Sequence, residues 1–139
     1  MLTKIEVENF IFSLLKASEV ATEINGGIYP DGQRPQASSK EDAEVVMTTA
    51  TADALATGTL NIIVFIPDVL QSGSKSAKVA NRPRLTKIAR LLANFAEGLK
   101  AADGDYLFRP SEAVYIDEYA ELGQHAAVLR LKFNHYNHD

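Results

Sequence analysis

Three histidines, His125, His135 and His138, fall within the last fifteen residues, and Asp139 adds a carboxylate beside them. Metal binding needs ligands that converge from one side. On an extended strand, residues three apart point to opposite faces, so His135 and His138 do not share an ion, and a solvated terminus is the plainer reading. Asp117, Glu118, Glu121 and His125 gather around a strand turn, where paired carboxylates and an imidazole could perform general acid–base chemistry. Acidic residues also keep hairpin ends solvated, and that reading is preferred. Gly73-Ser74-Lys75-Ser76 invites comparison with a phosphate-binding loop, but Ser74 separates the glycine from the lysine and the upstream glycine is missing. With no cysteine, thiolate and disulfide chemistry are excluded. Tyr115 and Tyr119 share a strand face by spacing and are expected to pack in the core or an interface. These candidates lead to the expectation of no catalytic residue, no metal and no cofactor.

The elements that carry these residues can be read from periodicity. Thr3-Lys4-Ile5-Glu6 fits a capping box, and Val7, Phe10, Ile11, Leu14 and Leu15 follow at helical spacing. Asn25-Gly26-Gly27 should close this region in the left-handed conformation, and Ile28-Tyr29 reads as a short strand. Pro30 to Asp42 is a polar loop with two prolines and no large apolar residue. Glu44–Ala50 and Gly58–Ile66 are β-branched and read as neighbouring strands. The second is apolar on both faces, as a strand covered on both sides would be. Pro67 ends it, and a Ser- and Lys-rich connection leads to Pro83. Leu85, Ile88, Ala89, Leu92, Phe95, Ala96 and Leu99 then define a long helix. A turn at Asp103-Gly104-Asp105 precedes two strands, Ala113–Tyr119 and Gln124–Asn137, joined antiparallel through Glu121-Leu122-Gly123. In the last strand Ala127, Leu129, Leu131 and Phe133 should form a dry face and Val128, Arg130, Lys132 and Asn134 a wet one. The order α-β-β-β-α-β-β predicts an α+β fold, a mostly antiparallel (mixed) sheet of four to five strands with two main helices on it.

The chain has 139 residues, 46% apolar and 23% charged, with a net charge of −4. Residues 1–139 are expected to form a single domain, too apolar for a disordered chain. The longest apolar run, Ile62 to Ile66, is far short of the ~20 residues that span a bilayer. Lys4, Glu6 and Glu8 interrupt any secretory signal, so the expected location is cytoplasmic, with no membrane partner. Charge is unevenly spread. Between Asp68 and Glu97 there is no acidic residue, and Lys75, Lys78, Arg82, Arg84, Lys87 and Arg90 give +6, leaving −10 elsewhere. Arg84, Lys87 and Arg90 fall away from the apolar stripe of the long helix and should face solvent. The positive stretch is then a solvated face, a dock for an acidic protein or nucleic acid, or one side of a self-association in which unlike patches meet head to tail. Nucleic acid is not the expected partner of a chain that is acidic overall and lacks a base-reading motif.

The layout resembles the tail-completion, or tail-terminator-like, minor structural proteins of long-tailed phages and prophages. The resemblance covers most of the chain. It runs through the N-terminal amphipathic helix, Gly27-Ile28-Tyr29-Pro30-Asp31, the polar loop into Glu44-Val45-Val46-Met47, Gly58-Thr59-Leu60-Asn61-Ile62-Ile63-Val64-Phe65, the long helix, and His125-Ala126-Ala127-Val128-Leu129-Arg130-Leu131-Lys132-Phe133. It departs from the common pattern in the RPQASSKED insertion and the Pro67 to Asn81 connection. The resemblance implies an α+β subunit without catalytic residues that forms homo-oligomeric rings, commonly hexameric. Such rings stop a tail tube and join it to the capsid, with tail-tube or head–tail connector proteins as partners. The Pro30–Asp42 and Pro67–Asn81 loops would be contact arms ordered by a neighbour. Arg34, Lys40, Lys75, Lys78, Arg82 and Arg84 are the expected interface residues. The alternative is a small cytoplasmic binding module that docks an acidic protein or nucleic acid on its basic helix face.

Overall fold

The computed structural model describes residues 3–50, 55–99 and 106–136. Helix α1 (Lys4–Lys16) opens with the expected capping box: the Thr3 hydroxyl accepts the Glu6 amide at 3.3 Å, and the Glu6 carboxylate accepts the Thr3 amide at 3.5 Å. Val7, Ile11 and Leu15 form its buried stripe, with Phe10 and Leu14 partly buried beside them. A short helix, α2 (Glu19–Glu23), follows. Gly26 and Gly27 do not take the expected left-handed conformation. Gly26 is instead required by close approach, because a Cβ there would collide with the Asp42 carboxylate and the Glu41 carbonyl.

Six strands make one mixed sheet. β1 (Ile28–Pro30) runs parallel to β2 (Asp42–Ala50), which pairs antiparallel with β3 (Leu55–Pro67). After a two-stranded hairpin, β4 (Val69–Leu70) and β5 (Lys78–Val79), comes the long helix α3 (Arg82–Leu99). Then follow β6 (Tyr106–Pro110), β7 (Tyr115–Tyr119), a single 3-10 turn at Ala120–Leu122, and β8 (Gln124–Tyr136). The sheet order is β1-β2-β3-β8-β6, with β7 also on β8. β6 and β7 lie end to end along the outer edge of β8, facing residues 131–135 and 124–128 respectively. The expected α+β class and antiparallel pairing hold, with β6 and the small hairpin as additions. The expected turn at Asp103–Asp105 lies outside the described residues.

One face of the sheet carries the main core. Leu60, Ile62, Val64 and Ile66 of β3 line up with Leu131, Leu129, Ala127 and His125 of β8, so the two long strands present one continuous surface. The helices lay Ile11, Leu15, Leu85, Ile88 and Leu92 on it, each fully or nearly fully buried. Every such aliphatic side chain contributes about 1.5–3 kcal/mol by burial. Asn81 starts α3 by accepting the Arg84 amide on its side chain at 3.3 Å.

The opposite face holds a smaller cluster of Phe65, Ala126 and Val128, with Ile63, Tyr115 and Tyr119 packed against it. Val128 is therefore dry, contrary to the simple alternation. The wet side of β8 begins at Arg130 and continues to exposed Lys132. Over this cluster lies the loop 31–41, with the Arg34 guanidinium 4.0 Å from the centre of the Phe65 ring. That loop was expected to await a neighbour. Polar bonds order it at home instead: Arg34 Nε donates to Asp42 at 2.9 Å, the Ser38 hydroxyl donates to the same carboxylate, and Gln124 Nε2 donates to the Ser38 carbonyl at 2.7 Å.

Candidate interaction surface

The cations expected to meet a partner divide into two groups. Arg34 is spent inside the fold: its side chain is 7% exposed and the Asp42 carboxylate beside it 2%. Burial pushes the Asp42 carboxyl up, but the Ser38 hydroxyl, the Gly27 amide and Arg34 more than offset it, and the net shift is downward. Arg84 is spent likewise. Its guanidinium donates to both Glu41 oxygens at 2.6 and 2.7 Å, to the Glu23 carboxylate, and to the Glu23 carbonyl at 2.6 Å. These hydrogen bonds, to Glu41 first and Glu23 next, hold Arg84 firmly protonated. Its bond and that of Lys87, whose ammonium lies 2.9 Å from the same oxygen, pull the Glu23 carboxyl below its usual range. Arg34 and Arg84, two of the residues expected at an interface, thus act as internal clamps, each bonded to acceptors of its own chain. The solvent-facing charge expected of Arg84 and Lys87 is largely neutralised.

Lys40, Lys75, Lys78 and Arg82 form the second group. All four are exposed and make no ion pair among the described residues. Arg90 behaves the same way. Lys75 and Lys78 ride on the β4–β5 hairpin, which sequence reading took for an ordinary connection. Gly73 takes φ +80 at its tip, the turn conformation that favours glycine. The Ser74 hydroxyl accepts the Ala77 amide at 2.9 Å and the Ser76 amide at 3.3 Å. Gly73-Ser74-Lys75-Ser76 is therefore a hairpin turn, with the serine closing it. Val69 faces Val79, and Leu70 faces Lys78. These three apolar side chains remain 41%, 40% and 54% exposed, in the order Val69, Val79, Leu70.

The base of the hairpin is pinned to the end of β8. The Asp68 amide donates to the Gly123 carbonyl at 3.0 Å, and the Asp68 carboxylate lies 2.6 Å from His125 Nδ1. His125 was grouped by sequence with Asp117, Glu118 and Glu121, yet its partner is Asp68. The expected cluster is divided: Asp117 pairs with Ala126 and points to the opposite face from His125, whereas Glu118 pairs with His125 itself and shares its face. Asp117, Glu118 and Glu121 are all exposed. The Asp68–His125 pair had no sequence signal, since the two residues are 57 positions apart. Tyr115 and Tyr119 pack in the smaller core, as expected. His135 lies against the ring of Tyr106, while His138 and Asp139 fall outside the described residues.

Two concavities flank the Asp68–His125 pair. The larger, about 890 Å³, runs between α3 and β7, with Leu85, Ala89, Val114 and Ile116 in its walls and Arg82 and Arg90 also lining it. The smaller, about 280 Å³, lies between the hairpin base and the 3-10 turn, where Lys78, Glu121, Leu122 and Gln124 meet. Among the described residues no group of three or more His, Asp or Glu side chains is placed to hold a metal ion, and no helix is long and apolar enough to cross a membrane. What the arrangement offers chemically is contact: a fixed hairpin with apolar and cationic side chains beside an edge strand with apolar and anionic ones. No protein-family model matches the chain, and no curated protein matches it.

Proposed function

We propose that the chain is a structural subunit of a phage or prophage tail or head–tail junction, acting by ring-type self-assembly and transforming no substrate. The observation that carries this reading is the distribution of exposed apolar side chains. Seven large hydrophobic residues are exposed among those described, and five of them, Val69, Leu70, Val79, Ile116 and Leu122, belong to the hairpin or to the neighbouring β7 corner. Burying such a patch against another protein removes it from water at roughly 25 cal/mol per Å². Partners would be other copies and the tail-tube or connector proteins that a ring adjoins.

The reading of α3 as a basic dock for an acidic protein or nucleic acid is weakened by Arg84 and Lys87, which are already engaged by Glu23 and Glu41. Electron microscopy of the concentrated protein at low salt tests the proposal. Closed rings of uniform diameter are expected, and a field of isolated small particles would contradict it.

A further inference from the structure

Resting on that self-assembly reading, we propose where two copies touch: the β4–β5 hairpin of one packs on the β7 corner of another. The two surfaces match in chemistry. On the hairpin, Leu70 and Lys78 share one face and Val69 and Val79 the other, with Lys75 at the tip. On the corner, Ile116 is 46% and Leu122 50% exposed; Glu118 shares the face of Ile116, exposed Asp117 lies on the other face of the strand, and exposed Glu121 precedes Leu122. Apolar meets apolar, and cation meets anion. A neighbour with cations at this corner, or anions on the hairpin, would be rejected by like-charge repulsion.

Backbone geometry supports the same pairing. β7 is bonded to β8 along one edge and has no partner strand on the other among the described residues. An unpaired edge presents amides and carbonyls that another strand can complete, and natural edges of this kind are usually blunted or covered. Here the blunting charges are all negative, which repels a second β7 and admits a basic strand. The hairpin is also fixed before it binds. Asp68 ties its base to Gly123 and His125 at 3.0 and 2.6 Å, and the Ser74 hydroxyl closes its tip, so docking loses little chain freedom.

The groove beside α3, which Ile116 also lines, carries Arg82 and Arg90. These would repel the lysines of a hairpin, so the hairpin of a second copy belongs on the side of the corner where Glu121 and Leu122 lie.

Sedimentation velocity at low salt tests the contact with the full chain and three variants, Leu70→Glu, Lys78→Glu and Glu121→Lys. Each replaces an exposed side chain, and circular dichroism melts check that each variant folds. The expected result is an oligomer for the unaltered chain, with association weakened at least about tenfold in each variant. An equal mixture of Lys78→Glu and Glu121→Lys should associate again, because a reversed hairpin then meets a reversed corner. If the unaltered chain is oligomeric and the variants sediment with it, the contact lies elsewhere and this inference fails while self-assembly stands. If each charge variant is weakened but the mixture is not restored, the pairing of Lys78 with the acidic corner is wrong. A strictly monomeric unaltered chain overturns both.

Discussion

Asp42 shows how one side chain orders a polar segment. Its carboxylate is 2% exposed and accepts from Gly27, Arg34 and Ser38, so the loop before β2 is held without large apolar residues. Removing either partner of such a pair strands a buried charge. The carboxyl titrates below its ordinary value in the folded chain, and near about 3.9 in the unfolded one. A lowered folded value means that its stabilisation is complete above the unfolded value and is lost as pH falls through the folded one. Glu23 acts with the same sign. Glu44 acts with the opposite sign: burial raises its folded value, against a smaller lowering from the Gly32 amide, so acidification relieves a cost there. Melting temperature should therefore change little from pH 7 to about 5 and fall below about pH 4, with a shallower acid limb in Asp42→Asn. An identical acid limb in Asp42→Asn and the parent would show that Asp42 does not contribute. The pairings of Arg34 and Arg84 were illegible in the sequence. Arg84 finds Glu41 from 43 positions away and Glu23 from 61, and ion pairing leaves no periodic trace. The Thr3 capping box could be read because both of its bonds close within three residues.

Among the elements, β6 depends on one aromatic anchor. Phe108 is 1% exposed, whereas its neighbours Leu107 and Arg109 face solvent. Its ring stacks with Phe10 at 5.8 Å and lies 6.0 Å from Phe133, joining α1, β6 and β8. Phe108→Ala is expected to lower stability by about 3–5 kcal/mol in denaturant titration, because the cavity spans three elements. A loss below about 1 kcal/mol would mean that this edge is not part of the cooperative core. A strand of five residues with one buried position carries too little alternation to be recognised beforehand. The two-residue strands of the small hairpin carry none. α3 was legible because its stripe from Leu85 to Leu99 repeats over four turns, and β3 because both its faces are apolar. The dryness of Val128 was missed because it depends on tertiary neighbours: Phe65, Tyr115 and the loop above them. The β-branched residues of β8 say nothing about that cover.

Across the whole molecule, charge and apolar exposure gather at the same end. Four of the six cations between Asp68 and Glu97, Lys75, Lys78, Arg82 and Arg90, keep their charge free of partners among the described residues. The sequence located the positive stretch correctly but overstated it, since Arg84 and Lys87 are neutralised by Glu23 and Glu41. The hairpin that displays Lys75 and Lys78 could not be foreseen, because its base is fixed by residues far along the chain. The central claim is that this surface serves to join copies of the chain. Sedimentation velocity of the unaltered protein over a range of concentrations, at low and then high salt, tests it most directly. The account predicts one discrete oligomer at low salt that dissociates as screening weakens the contact between lysines and carboxylates. A single monomeric boundary at every concentration in low salt would contradict it.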